Sequence, residues 1–453
     1  MKTRFLFVFA IVFTLASTSA FGQADWTQRF PATSPSARAN QAMVQMGNNV
    51  VLFGGEGVDS NGNTVTLGDT WIWDGTNWSQ ITSFGIFGTG AKPPARSRAG
   101  IAYHPSSGKV VMFSGVNSSG LLTDTWVLEL QFVRALNRSF YTWAQVTTNV
   151  TPPARESPAM NFDVSSGNIL LTEGSNFSGD LQDTWAFNPG SGTVAPSWTT
   201  VSSINPNPPR DSATLVPCAI DTQHAIDRML LFGGLNISNI TLTPLGDNWI
   251  FRTNTLLPIL DWGQATVSPA PSPRFSYAME YYPISNQDVL YGGGASGLFS
   301  VFGDTWNATC GTWTQASPAH NPGLREFHRM AYSNAKFNIV MFGGRKVTNT
   351  FSLSNETWTW GRRAACLPTD GAEIEAGTEV TCQFDQIEGT KFGEWDASGF
   401  SPRFHDRLKT TFRAHGRGSA SITAYWTDSG GSHSMTYNYT VTRRHGRDKG
   451  DGR

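Results

Sequence analysis

Six times along the chain a short β-branched, apolar run ends in glycine: VVLFGG at 50–55, VVMFSG at 110–115, ILLTEG at 169–174, MLLFGG at 229–234, VLYGG at 289–293 and IVMFGG at 339–344. Runs of this length between Gly, Pro and Asn turns predict buried β-strands rather than helices. Upstream of each run stands a turn-prone proline–arginine element, Pro-x-x-Arg at Arg38, Arg96, Arg155 and Arg274 and Asn-Pro-Pro-Arg at Arg210, with a degraded sixth copy at Gly323-Leu-Arg325. Downstream comes an acidic-x-Trp element: Asp69-Thr-Trp71, Asp124-Thr-Trp126, Asp183-Thr-Trp185, Asp247-Asn-Trp249, Asp304-Thr-Trp306 and Glu356-Thr-Trp358. A fixed period of this size predicts radial or solenoidal repetition and overrides local readings.

A further Trp strand closes each unit, at Trp78, Trp143, Trp198, Trp262 and Trp313, and the sixth unit lacks it. Trp26-Thr-Gln28 stands alone ahead of the first unit and matches Trp313-Thr-Gln315. The N-terminal strand can therefore supply the missing edge, and ring closure of this kind leaves only short, protected edges.

These residues resemble the kelch repeat, whose unit carries a double glycine followed by a spaced aromatic pair. The central domain of galactose oxidase and its relatives is of this type, and a bacterial sialic acid mutarotase is a six-bladed version. The resemblance implies an all-β fold, a six-bladed kelch-type β-propeller closed by the N-terminal strand, over residues 25–363. Two units depart from the pattern, with Ser114 and Glu173 where the others have the first glycine.

Outside the repeat, Lys2 and Arg4 precede the apolar run 5–16 and small residues follow, so residues 1–24 read as a secretory signal peptide and the chain as secreted or periplasmic. Residues 364–442 carry alternating segments such as TEVTCQF, ASITAYWTD and MTYNYTVT, which predict a small Ig-like β-sandwich. Residues 443–453 form a basic, Gly-rich tail expected to be disordered. Export permits disulfides: Cys366 and Cys382, sixteen apart on strands expected to be adjacent, are the favoured pair, which leaves Cys218 and Cys310 as the second.

Composition narrows the functional classes. Lys plus Arg (33) nearly balances Asp plus Glu (34), so no net field draws the chain to nucleic acid, and no second long apolar run predicts a membrane span. Copper chemistry of the galactose oxidase type needs paired Tyr and His ligands, and His104, His224, His320 and His328 do not supply the pattern. No zinc-peptidase, nucleophile-elbow or phosphate-loop motif occurs, so neither a metal nor a cofactor is expected.

The abundant tryptophans suggest sugar stacking, but the repeat assigns most of them to packing between blades and leaves Trp73 and Trp360 as stacking candidates if either faces out. Arg38, Arg96, Arg210, Arg274 and Arg325 could ring a channel mouth and hold an anion. The acidic residues recurring in step with them favour internal ion pairs instead. Departures from a repeat cluster at sites, which makes Glu173, with Arg155 and His328, the catalytic candidate of a sugar-acting enzyme. The leading expectation is a monomeric secreted binding protein that recognises a protein or glycan through loops 56–67, 83–92, 131–142 and 235–245. A mutarotase- or epimerase-like enzyme is the alternative.

Overall fold

A computed structural model describes residues 23–443 except 86–87, 89, 204, 219–225, 239–240, 255–259, 298–299, 386–389 and 430. The signal-peptide segment through residue 22, the tail from 444 and His224 lie outside the described residues.

Each repeat forms one four-stranded antiparallel sheet. The first comprises Ala42–Met46, Asn49–Val58, Thr64–Trp73 and Trp78–Ile81, hydrogen-bonded in chain order from the inside outward, and the next four sheets repeat that order. The sixth takes Arg329–Ser333, Asn338–Phe342 and Thr357–Gly361 from its own repeat and Asp25–Arg29 as its outer strand. Trp26 stands opposite Trp360 in that antiparallel pairing, so the first strand of the chain completes the last sheet. The innermost strands adjoin in a closed cycle, from the first sheet through the sixth and back to the first.

Two kinds of contact hold neighbouring sheets. At the inner rim, the residue two after each repeat arginine donates its N–H to the equivalent carbonyl of the preceding sheet: Asn40 to Phe327, Arg98 to Asn40, Ser157 to Arg98, Ser212 to Ser157, Ser276 to Ser212 and Phe327 to Ser276, all at 2.8–3.2 Å. These six residues have φ of 52–57°, and side-chain-bearing residues tolerate the left-handed region at a cost that the closed hydrogen-bond ring offsets. Farther out, each closing Trp donates its indole N–H to the middle residue of the acidic-x-Trp element one sheet back. Trp143 reaches Thr70 (3.1 Å), Trp198 Thr125 (3.0 Å), Trp262 Thr184 (3.4 Å) and Trp313 Asn248 (2.7 Å). The junctions at the closure are made alike: Trp26 to Thr305 (2.9 Å) and Trp78 to Thr357 (3.0 Å).

The double glycine has two different physical roles. The first position is left-handed, as Gly54, Ser114 (φ 59°) and Glu173 (φ 64°) show; units two and three accommodate a side chain there, whereas at Gly54 a Cβ would collide with the Arg96 carbonyl oxygen. The second is glycine in all six units. At Gly55 (φ 102°) a Cβ would stand 2.7 Å from the carbonyl oxygen of Ala39, and at Gly174 equally close to that of Glu156.

Residues 364–442 form a four-stranded and a five-stranded sheet around one core that includes Trp395, Trp426, Phe412 and Tyr437. Cys366 and Cys382 are direct cross-strand partners within the first of these sheets and are joined by a disulfide. Cys218 and Cys310 are hydrogen-bonded to one another without a disulfide, so the second bridge is not formed.

Candidate functional site

The repeat arginines are fully buried, and each guanidinium is committed to its own sheet. Arg96 donates from Nη1 and Nη2 to the two carboxylate oxygens of Asp124 at 2.6 and 2.7 Å, from Nη1 to the Ser114 carbonyl at 2.9 Å and from Nε to the Pro94 carbonyl at 3.2 Å. The indole N–H of Trp126 completes the unit on Asp124 at 2.6 Å. Arg38, Arg155, Arg210 and Arg274 make the same forked pair with Asp69, Asp183, Asp247 and Asp304, and Arg325 pairs with Glu356 at 2.7 Å. A guanidinium buried in this way, neutralised by its acid and with further donors on backbone carbonyls, is not presented to an anion in the channel. This arrangement places the five arginines considered as ligand-binding residues inside the blades.

Trp73 and Trp360 are 1% and 2% exposed, so neither presents a face to a sugar. Glu173 is also fully buried. It accepts one hydrogen bond from Asn207 and lies 3.3 Å from Arg210 Nε. Burial pushes its carboxyl well above the usual range; the Arg210 cation opposes this, and Asp247, paired with the same guanidinium, pushes the carboxyl up again. Arg155 touches only the Glu173 carbonyl, at 2.8 Å. His328 lies between the fifth and sixth blades, its ring 5.6 Å from that of Tyr291 and its carbonyl bonded to Arg329. Burial first, then Arg325 and Arg329, hold its imidazole well below its ordinary pKa. Glu173 and His328 thus belong to different interblade seams, at the third–fourth and fifth–sixth blades.

A second set of polar groups sits at the channel mouth, one residue along from the buried arginines, with Glu56 and Glu156 half-buried and Asp211 and Glu326 buried. The residue after each repeat arginine forms a bridge with the start of the hairpin beyond the double glycine: Ala39 with Glu56, Ser97 with Val116, Glu156 with Ser175, Asp211 with Leu235, Phe275 with Gly294 and Glu326 with Arg345. Arg98 spans two blades from this level, 3.4 Å from Glu56 and 2.8 Å from Glu156, and Ser97 and Asn40 also donate to Glu56. Burial works against the Arg98 charge, but the two glutamates prevail and raise its pKa. Beside this bridge lies a depression of about 820 Å³ lined by Glu56, Thr64, Thr66, Ser97, Asn117 and Glu156.

Farther round the mouth, Asp211 accepts from Ser175 Oγ at 2.8 Å, and burial raises its carboxyl to about 6. Burial raises Asp180 as well, although the Ile237 N–H donates to it at 2.6 Å. Glu326 is paired with Arg345. The mouth is therefore richer in carboxyl groups than in guanidinium groups. Sequence reasoning missed Glu56 and Arg98 because their meaning comes from the bridge register, whereas the acids that follow the repeat arginine at Glu156, Asp211 and Glu326 stand out in the sequence. The available signal was the repeat itself, since the residue after each arginine varies while the arginine does not.

Around this mouth stand the hairpins between the second and third strands of the blades, with exposed tips at Val58, Phe177, Ile237 and Leu242. Loops 56–67 and 235–245 are two of them. Loop 131–142 joins the third and fourth strands of the second blade, so it lies at the opposite end, and loop 83–92 folds back so that the Gly85 N–H reaches the Tyr141 carbonyl.

Residues 23–226 match the family described as the KLHDC2/KLHL20/DRC7 Kelch-repeats domain. Adagio-like protein 3 of Oryza sativa subsp. japonica is 25% identical over 273 residues, covering 58% of this chain and 39% of that protein. Adagio protein 3 of Arabidopsis thaliana is 25% identical over 272 residues, covering 58% and 40%. The chain spans about two fifths of the length of these curated relatives. A solved structure titled "Structure of YjhT" is 14% identical, covers 74% of this chain and 96% of its own, and superposes with a TM-score of 0.49. Residues 23–226 thus match a kelch-repeat family, and the arginine–acid–tryptophan unit found in that segment recurs in all six sheets.

Proposed function

We propose that this is a secreted binding protein whose channel-mouth face engages a protein partner through a basic or hydroxyl-rich segment. The observation that carries the reading is the carboxyl-rich mouth, Glu56, Glu156, Asp180, Asp211 and Glu326, encircled by hairpins with exposed apolar tips. Complementary charge steers a basic segment inward, and the apolar tips supply contact area around it. The N-terminal pattern and the Cys366–Cys382 disulfide support an oxidising destination. The test is an array of basic, neutral and acidic peptides probed with the full chain and with Glu56→Gln/Glu156→Gln. Selective retention of basic peptides that weakens in the variant and at high salt supports the reading. Equal retention of acidic peptides refutes it, and retention on a neutral glycan array alone transfers the site to carbohydrate.

One observation favours a second reading, proton transfer on a sugar. Asp211 combines a raised pKa with a place at the mouth, whereas Glu173 has no exposed surface from which to exchange a proton. Turnover of reducing sugars that disappears in Asp211→Asn would establish it.

A further inference from the structure

We infer that the central channel holds a small monovalent anion on the guanidinium of Arg329. The innermost strands of the six blades begin at equivalent register positions, each opposite the residue that precedes its double-glycine element. These positions are Ala42, Gly100, Ala159, Thr214, Ala278 and Arg329. Five are small, and the sixth is the largest cationic side chain available. The channel beside it is a cavity of about 270 Å³, lined by Arg329 together with Asn40, Asn161, Thr214, Ser276 and Glu280.

Arg329 differs from the six repeat arginines in having no acid. Its Nη1 donates to the carbonyl of its neighbour His328 at 3.2 Å, and among the described residues no carboxylate is ion-paired with it. Burial, then the positive charge of Arg98, lowers its pKa to about 10, so the guanidinium stays charged at neutral pH while lacking a counter-charge. Arg329 is half-buried at the channel wall, and a cation there without a carboxylate partner is compensated most simply by a bound anion. Glu280, the channel's own carboxyl, does not serve: burial raises it to about 8, so it is neutral at pH 7, and the Tyr332 N–H donates to it. The surplus is then one positive charge, which selects a monoanion over sulfate or a phosphate dianion. Ser276 on the same lining offers a hydroxyl, and Asn40 and Asn161 keep the second N–H of amides whose first goes to Glu56 and to the Leu215 carbonyl. This inference is independent of the mouth-face reading, since it uses none of that reading's carboxylates.

The test is chloride-35 NMR line broadening by the full chain, with acetate and sulfate as competitors at matched ionic strength. The expected result is saturable excess broadening, displaced by acetate and not by sulfate. Arg329→Met should weaken it by roughly tenfold or more, because the charge-assisted hydrogen bonds are lost. Equal broadening by wild type and Arg329→Met, or equal displacement by sulfate, would overturn the inference, as would no excess broadening in the wild type. Should the methionine variant fail to fold, Arg329→Lys takes its place. An ammonium keeps chloride but lacks the planar fork, so acetate should compete less well, and unchanged acetate competition would overturn the inference equally.

Discussion

Replacing Asp124 by alanine tests whether the repeated arginine–acid–tryptophan unit is a structural element of each blade. Arg96 is 1% exposed, and the side chain of Asp124 is 13% exposed, so water can do little to solvate the guanidinium left behind. Breaking a buried pair from one side costs about 3–5 kcal/mol, and loss of the Trp126 hydrogen bond adds about 1 kcal/mol. With a urea dependence of about 3 kcal/mol per molar, the unfolding midpoint should fall by roughly 1–2 M. The double variant Arg96→Met/Asp124→Leu strands no charge and should recover most of the loss. The assay is urea unfolding followed by tryptophan fluorescence on wild type, single and double variants. A single-variant cost below about 1 kcal/mol, or a double variant as unstable as the single, would refute the reasoning. The pH dependence has a definite sign. Burial would raise the Asp124 carboxyl, but the Arg96 bonds outweigh it and the pKa lies below its ordinary 3.8. The stabilisation is therefore present above 3.8 and lost as pH falls below it.

Three other outcomes are expected. Asp211 has the opposite sign: with a folded pKa of about 6 it favours the fold below 3.8 and loses that contribution as pH rises through 6, so Asp211→Asn should be more stable than wild type at pH 8, by up to roughly 3 kcal/mol, and no different at pH 3 in parallel urea titrations. Trp26→Phe keeps the packing of the closing strand but removes the bond to Thr305, costing about 1 kcal/mol, whereas Trp26→Ala should cost about 3–5 kcal/mol and open the junction of the fifth and sixth blades to hydrogen exchange. Cys366→Ala/Cys382→Ala removes a cross-link between residues sixteen apart, which should cost about 3 kcal/mol and lower a calorimetric transition of the C-terminal sheets while leaving the propeller transition in place.

Much of this architecture is legible in one dimension because a repeat states its own geometry. The recurrence of arginine, glycine, acid and tryptophan set the number of sheets, and Trp26, a fragment without its own unit, marked the closing strand. The invariant second glycine was visible as a letter, and the structure supplies the reason: at Gly55 a side chain would collide with the Ala39 carbonyl. The cross-strand disulfide followed from spacing on neighbouring strands. The pairing of Arg96 with Asp124 could be proposed from co-occurrence, but only the fold showed that the acid also takes the Trp126 N–H.

The site was decided in three dimensions. Glu173 stands out in the sequence because it replaces a glycine, yet the first glycine position turns inward toward Asn207 and Arg210, so a conspicuous departure is a buried one. Glu56, Arg98 and Glu156 stand up to a hundred residues apart, and the ring brings them together at one mouth. Arg329 is the same case: its position has meaning only against the five small residues aligned with it around the channel. Local propensity and period are properties of neighbouring residues, so the sequence determined blades and closure. Charge compensation and access to solvent depend on which distant residues share a space, and tertiary structure alone decides that.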